Sequence, residues 1–181
     1  MIATGLSGYP TVSRFNLRPI AIGLESEKYG LHPRLGEKMK IQTIIANKKA
    51  HTISAHDTVP HLVERLNSFK VGALVVSADG KAIDGIVSER DVVRAMPGKF
   101  DLLEDLHVRD IMTVNVFTCT PDATVAEIMA MMTTQRIRHI PVVDSEGNLL
   151  SMISIGDIVK HHVNEISVEN QALKEYVSSA H

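Results

Sequence analysis

The fold is decided by a short stretch that occurs twice, as Gly85-Ile-Val-Ser-Glu-Arg-Asp91 and as Ser151-Met-Ile-Ser-Ile-Gly-Asp157. In both places an apolar run typical of a strand leads into Ser-x-x-Asp, which is typical of the start of a helix. The serines and the aspartates of the two stretches lie 66 positions apart. Two pairs of valines repeat that offset, Val59 with Val125 and Val76 with Val142. Four matched pairs at one offset indicate an internal duplication.

Around this stretch each copy has the pattern strand, helix, strand, strand, helix. The first helix carries apolar residues at i, i+3, i+4 and i+7, which places them on one face. These residues are Val59, Leu62, Val63 and Leu66 in copy one, and Val125, Ile128, Met129 and Met132 in copy two. The β-rich runs Ala73–Ser77 and His139–Val143 follow, and the short turns after them predict antiparallel hairpins.

We therefore predict an α+β fold built from two β-α-β-β-α units, with copy one at residues 39–100 and copy two at residues 101–163. A unit of this size buries too little surface alone, so the two copies are expected to pack on each other. Residues 1–38 contain three prolines and no acidic residue before Glu25, and they are expected to form a poorly packed extension. Residues 164–181 are predicted to form a helical tail.

Composition excludes several classes of protein. The 181 residues include 19 basic and 21 acidic side chains, which argues against a nucleic-acid partner. The single cysteine excludes an intrachain disulfide and a cysteine-based zinc site. No apolar run approaches the roughly 18 residues of a membrane span, and the nine histidines show no metal-ligand spacing. We expect a cytoplasmic protein with no metal site and no membrane partner.

The repeated Ser-x-x-Asp has two interpretations. The serine and the acid can simply cap the helix, because they satisfy its free N–H groups and offset its dipole. The same geometry can also bind a ligand, since a helix start attracts phosphate and a carboxylate can accept both hydrogen bonds of a ribose diol. The duplication would then provide two equivalent ligand positions.

Residues 41–163 resemble a tandem pair of CBS (cystathionine beta-synthase) domains of the stand-alone bacterial type. The resemblance rests on the repeat, on the Gly-x-x-Ser-x-x-Asp ending of copy one and on Arg138-His139-Ile140-Pro141-Val142-Val143-Asp144. It implies two units related by a pseudo-two-fold axis. It also implies two clefts between them that take an adenosyl ligand such as AMP, ATP, NAD(H) or S-adenosylmethionine.

The resemblance also implies roles for individual residues. Asp91 and Asp157 would hold ribose hydroxyls, and Ser88 and Ser154 would contact phosphate or sugar. The other residues placed at the ligand are Thr52, Ile53, Ser54, Thr118, Cys119 and Thr120 beside adenine, Val71 and Ile137 against the ring, Glu89, Arg90, Ile155 and Gly156 in the turns, and Arg138, His139 and Pro141 on the middle strand. Cys119 is otherwise expected to be a small buried apolar residue.

The two copies differ in ways that predict unequal clefts. Arg138 and His139 stand where copy one has Gly72 and Ala73, so we expect them to assist phosphate binding in the cleft that contains Asp91. Ser151 replaces the glycine of copy one. If Gly85 lets a ligand approach the backbone closely, the second cleft is narrower or empty.

The C-terminal helix carries an apolar seam with spacings of 4, 3, 4, 3 and 4, formed by Val159, Val163, Ile166, Asn170, Leu173 and Val177. Such a seam either pairs two chains or folds back on its own domain. Because related pairs commonly form dimers, a homodimer is expected.

The sequence analysis favours a non-enzymatic sensor that binds an adenosyl nucleotide and acts on an unknown downstream protein. The chain contains no nucleophile with a paired base and no Walker lysine. Two alternatives stay open. One is a structural homodimerisation protein with vacant clefts, and the other is a nucleotide hydrolase that uses Asp91 or Asp157 to hold a metal.

Overall fold

The computed structural model describes residues 39–97 and 104–161, with positions 163 and 167 of the last helix. In copy one the elements are α1 (Ile41–Ile45), β1 (Thr52–Ile53), α2 (Val59–Phe69), β2 (Ala73–Val76), β3 (Gly85–Ser88) and α3 (Glu89–Ala95). In copy two they are α4 (Val108–Ile111), α5 (Val125–Gln135), β4 (His139–Val143) and β5 (Leu149–Ser154). Helix α6 follows β5 directly and covers residues 155–161. The extension at residues 1–38 and most of the C-terminal seam lie outside the described residues.

The predicted α+β fold and its hairpins are confirmed. In copy one, β2 forms a parallel pair with β1 and an antiparallel pair with β3. In copy two, β4 and β5 form an antiparallel pair. Glycines with positive φ stand in both hairpin turns, at Gly80 and Gly147. Because only glycine adopts this conformation without strain, these residues allow the short connections.

The predicted first strand of copy two is not formed, and a single bridge at Cys119 stands in its place. Val75 of β2 donates its N–H to the carbonyl of His51 in copy one, but the equivalent residue on β4 is Pro141, which has no N–H. The segment therefore pairs with β4 only at Cys119, which donates to the Pro141 carbonyl at 3.1 Å and accepts from Val143 at 2.9 Å.

The apolar face of α2 is narrower than its spacing predicts. Val59, Leu62 and Leu66 are buried, but Val63 is 38% exposed. Val63 was predicted to be part of the buried face and lies at its edge, because the i+4 position is rotated about 40° from the first residue in a helix of 3.6 residues per turn. The face of α5 is confirmed at Val125, Ile128 and Met132, with Met129 partly buried.

The short helix in front of each copy packs on the other copy. Ile41 of α1 is fully buried in the core of copy two, and Val108 of α4 is fully buried in the core of copy one. Ile41 donates its N–H to the carbonyl of Ala123 at 2.9 Å, and Val108 donates to that of Asp57 at 2.9 Å. Each leading segment thus completes the core of the other copy, which ties the two copies together.

The sheets of the two copies also contact each other. Ala73 and Val75 of β2 form a small buried cluster with Met152 of β5. The N–H of Leu149 donates to the carbonyl of Lys81 at 2.8 Å across the same boundary. The expectation that the copies pack on each other is confirmed. One Ser-x-x-Asp turn follows β5, and the other follows β3, whose Ile86 packs against the same cluster.

Candidate functional site

The Asp91 carboxylate is held in place by the turn between β3 and α3. Its Oδ2 accepts hydrogen bonds from the Ser88 N–H at 2.8 Å and from the Ser88 hydroxyl at 2.6 Å. Asp91 is half-buried, and within the described residues Ser88 is its only hydrogen-bond donor. The second carboxylate oxygen, Oδ1, therefore remains available to a ligand.

Asp157 has the same arrangement in copy two with one addition. Its Oδ2 accepts from the Ser154 N–H at 2.7 Å and from the Ser154 hydroxyl at 2.6 Å. The Lys48 ammonium also donates to this oxygen, at 2.5 Å. Burial acts to raise the pKa of Asp157, but the hydrogen bonds from Lys48 and Ser154 outweigh it and hold the pKa below its usual range. Asp157 is therefore ionised at neutral pH.

His139 of copy two lies beside the turn of copy one. A Cβ on Gly72 would lie 3.4 Å from His139 Cε1 and 3.7 Å from a carboxylate oxygen of Glu89, so both side chains lie beside Gly72. Burial and the nearby Lys48 ammonium lower the pKa of His139, although the carboxylates of Asp157 and Glu89 oppose this. The ring is therefore mostly uncharged at pH 7.

The other predicted site residues lie in two kinds of environment. The exposed ones are Glu89, Arg90, Arg138, Ile155 and Gly156; the half-buried ones are Thr52, Ser54, Val71, Thr118, Thr120 and Ile137; and the buried ones are Ile53, Cys119 and Pro141. Arg90 reaches across the boundary between the copies, where its Nη1 donates to the Arg136 carbonyl at 3.4 Å. The structure thus brings Glu89, Arg90 and His139 to this boundary, while Ile53 and Cys119 point into the two cores.

Cys119 is a buried core residue, as expected. It is 7% exposed and packs in the core of copy two, where burial raises the pKa of its thiol to about 12. The reactive thiolate is therefore scarce at neutral pH.

The space beside Gly85 is filled by protein. A Cβ at this position would lie 2.9 Å from the Thr113 carbonyl oxygen and 3.0 Å from Met112 Sδ. The N–H of Ile86 donates to that carbonyl at 2.9 Å, which fixes the approach. The hypothesis that Gly85 leaves room for a ligand is wrong, so it no longer supports a narrower second cleft, which stays a prediction without this argument. The Ser151 hydroxyl instead donates to the Lys48 carbonyl at 2.7 Å.

We predict that Gly85→Ala lowers the free energy of unfolding by about 1–3 kcal/mol, because the added methyl displaces the backbone of Thr113. Chemical denaturation measures the effect. Gly156→Ala is the matched control, since its Cβ would meet nothing closer than the Ser154 hydroxyl at 3.6 Å. Equal stability of Gly85→Ala and the wild type would contradict the packing described.

Two kinds of feature do not occur in the described part of the chain. No group of three or more histidine, cysteine, aspartate or glutamate side chains is placed to hold a metal ion there. No helix there is long and apolar enough to cross a membrane.

The comparison with known proteins identifies the repeat. The family model for the CBS domain matches residues 41–98 and again residues 108–164. The chain belongs to the CBS-domain family. Copy one and copy two are thus its two CBS units, and the Ser-x-x-Asp turns are the ends of their hairpins.

Similar proteins include other CBS pairs. The mitochondrial CBS domain-containing protein CBSX3 of Arabidopsis thaliana is 39% identical over 129 residues, which cover 69% of this chain and 62% of that protein. A CBS-domain-containing protein from Agrobacterium tumefaciens has a solved structure with a TM-score of 0.65 and 33% identity, covering 68% of this chain and 99% of that one. A CBS domain protein from Pyrobaculum aerophilum, solved in complex with AMP, has a TM-score of 0.60 and 25% identity, covering 66% of this chain and 89% of that one.

Sequence reasoning missed the contact between Lys48 and Asp157, one of the predicted site residues. Lys48 and Asp157 are 109 positions apart, and they come from different CBS units. A lysine in front of a short strand has no pattern that would point to this contact. The only signal was a difference between the copies, because the position 66 residues after Lys48 is Val114.

Proposed function

We propose that this chain is a regulatory module that binds an adenosyl nucleotide between its CBS units. The conformational change on binding then acts on a partner protein. The observation that carries the proposal is the Asp91 carboxylate, which Ser88 orients through two hydrogen bonds. A carboxylate held in this way can accept hydrogen bonds from a ribose diol without a further ordering cost. Hydrogen bonds to a charged group contribute about 1.5–3 kcal/mol, which suits a binding site of moderate affinity.

The choice of an adenosyl ligand is supported by the Pyrobaculum aerophilum relative, whose solved structure is a complex with AMP. AMP, ATP and NAD(H) share the adenosine that this site would bind. We propose AMP as the first ligand to test. It is the smallest of the three, and it still carries both a ribose and a phosphate.

For the phosphate we propose the residues of copy two that face copy one. Arg138 is exposed and supplies a positive charge, and the uncharged His139 beside Gly72 and Glu89 supplies a hydrogen bond. Arginine matches phosphate because its planar fork donates two parallel hydrogen bonds. The Asp91 cleft would then bind the ribose through copy one and the phosphate through copy two.

We propose that binding acts on conformation and that the module has no catalytic activity of its own. A ligand that contacts both CBS units favours the arrangement in which both contacts form, and it shifts the population by its difference in affinity. A homodimer is also proposed. Val159 and Val163 lie four positions apart on one face of the last helix and are 53% and 54% exposed, and adjacent exposed apolar side chains favour a protein contact. A cytoplasmic location and the downstream protein stay predictions.

A thermal-shift screen with AMP, ADP, ATP, NAD, NADH and S-adenosylmethionine tests the proposal. A ligand at 100 times its dissociation constant adds about 2.7 kcal/mol of stability, which raises the Tm of a chain of this size by roughly 5–10 °C. We expect at least one of the six ligands to do so. If none changes the Tm, the chain is a scaffold with vacant clefts. Nucleotide turnover with added magnesium would instead indicate a hydrolase.

A further inference from the structure

The two ribose-binding carboxylates of the proposed clefts are unequal. Asp157 accepts a hydrogen bond from the Lys48 ammonium at 2.5 Å, in addition to those from Ser154. The pair is partly shielded from water, since the side chains of Lys48 and Asp157 are 39% and 26% exposed. A ribose that approaches Asp157 therefore meets a carboxylate that already has a cationic partner.

The backbone of Lys48 is held by hydrogen bonds on both sides, which places its side chain within reach of Asp157. Its N–H donates to the Ile45 carbonyl at 2.9 Å, and its carbonyl accepts from the buried Ser151 hydroxyl at 2.7 Å. Ser151 and Asp157 belong to the same hairpin end, at β5 and the start of α6. One hairpin thus holds both the lysine backbone and the carboxylate that its side chain contacts.

Copy one does not have this arrangement in the described part of the chain. The position 66 residues after Lys48 is Val114, which is 60% exposed and carries no charge. Thr113, whose carbonyl lies beside Gly85 as the Lys48 carbonyl lies beside Ser151, carries no charge either. The position equivalent to Ser151 is Gly85, which has no hydroxyl, and the segment beside it is held by backbone hydrogen bonds between Ile86 and Thr113. Asp91 accepts from Ser88 and has no cationic partner there.

We propose that Lys48 is a specificity-determining residue of the Asp157 cleft, which makes that cleft select nucleotides over uncharged nucleosides. This inference rests on the proposed function. Lys48 and Ser154 bond only Oδ2 of Asp157, so a ribose can bind Oδ1, but the Lys48 ammonium neutralises part of the carboxylate charge and makes it a weaker acceptor. A nucleoside brings nothing that offsets this loss, whereas a nucleotide offers the ammonium a phosphate attached to the same ribose. The other groups that face this place from both units do not remove the effect. His139 is uncharged at neutral pH, and Arg138 and Glu89 are exposed, so water screens their charges.

The order of filling follows from the same contact. A ligand at Asp91 meets a carboxylate with its full charge, whereas a ligand at Asp157 meets a carboxylate whose charge is partly neutralised by Lys48. The Asp91 cleft is therefore expected to fill first, and the Asp157 cleft to fill at higher concentration of the same ligand.

Calorimetric titration of Lys48→Met with adenosine and with AMP tests the inference. Every protein in this experiment, including the reference that retains Lys48, carries Asp91→Asn, so that binding at the Asp157 cleft is measured separately. An ion pair of partly exposed groups is worth up to about fivefold in an equilibrium constant. Lys48→Met is therefore expected to bind adenosine about fivefold more tightly, while its affinity for AMP is unchanged or weaker. Lys48→Arg keeps the cation and is expected to restore the preference for AMP.

Lys49→Met is the matched control, because it removes the same charge from an exposed neighbour that forms no ion pair with the described residues. Lys49→Met is expected to show the same ratio of AMP affinity to adenosine affinity as the chain that retains both lysines. A second readout needs no ligand, since Lys48→Met should raise the pKa of Asp157 in a carboxyl NMR titration. If Lys48→Met still binds AMP but its adenosine affinity is unchanged, the role proposed for Lys48 is overturned and the proposed function is not affected. Absence of binding to the wild type and to every variant overturns the proposed function with it.

Discussion

Ile41→Ala is expected to lower the free energy of unfolding by about 2–5 kcal/mol, which is typical for truncating a fully buried aliphatic side chain. Ile41 is fully buried, but the core that it fills belongs to copy two and includes Ile128, Ile140 and Ile158. The substitution therefore leaves a cavity in copy two and loosens the attachment of copy one. Denaturation with urea, followed by circular dichroism, measures the change.

The control for this prediction is Thr43→Ala, which truncates an exposed side chain of the same helix. Its effect on unfolding is expected to stay within about 0.5 kcal/mol. If Ile41→Ala also changes the stability by less than about 1 kcal/mol, α1 does not contribute to the core of copy two, and the crosswise packing of the leading helices is wrong.

Asp91→Asn is expected to weaken the binding of AMP by about 10- to 100-fold, because it removes the charge from the hydrogen bonds that hold the ribose. The amide has nearly the same shape as the carboxylate, so the turn at Ser88 keeps an acceptor for its N–H. The loss therefore reports the charge and not the fold. Isothermal titration calorimetry measures the affinity, with the Asp157 cleft separated as a second and weaker site.

Asp110→Asn is a matched control for this substitution. The Asp110 carboxylate accepts from the N–H of His107 at 2.8 Å at the start of α4, which is the same capping contact that Asp91 makes with Ser88. Asp110 lies outside the proposed clefts, so its replacement is expected to cost a similar small amount of stability and no AMP affinity. Equal AMP affinity for Asp91→Asn and the wild type would remove Asp91 from the site.

The elements that repeat in the sequence could be predicted from it. The hairpins and the Ser-x-x-Asp turns are local, because the residues that form them lie within a few positions of one another. Ser88 and Asp91 are three residues apart, and their hydrogen bonds follow from helix geometry. The apolar faces of α2 and α5 were predictable for the same reason, except at the edge residue Val63.

The features that could not be predicted depend on contacts between distant segments. The sequence of a five-residue helix such as α1 shows an apolar residue at position 41, but it does not show which core Ile41 fills. The filled space beside Gly85 depends on the path of Thr113, and the ion pair of Lys48 joins residues 109 positions apart. Pro141 is different, since its missing N–H is visible in the sequence, but its consequence appears only once Cys119 is placed opposite it.

The crystal structure of the full chain with AMP tests the central claim most directly. We predict that the ribose hydroxyls of AMP lie within hydrogen-bond distance of the Asp91 carboxylate, with Ser88 still donating to its other oxygen. A structure in which AMP binds elsewhere, while the Asp91 carboxylate faces water, would contradict the account. The turn of copy one would then only cap α3.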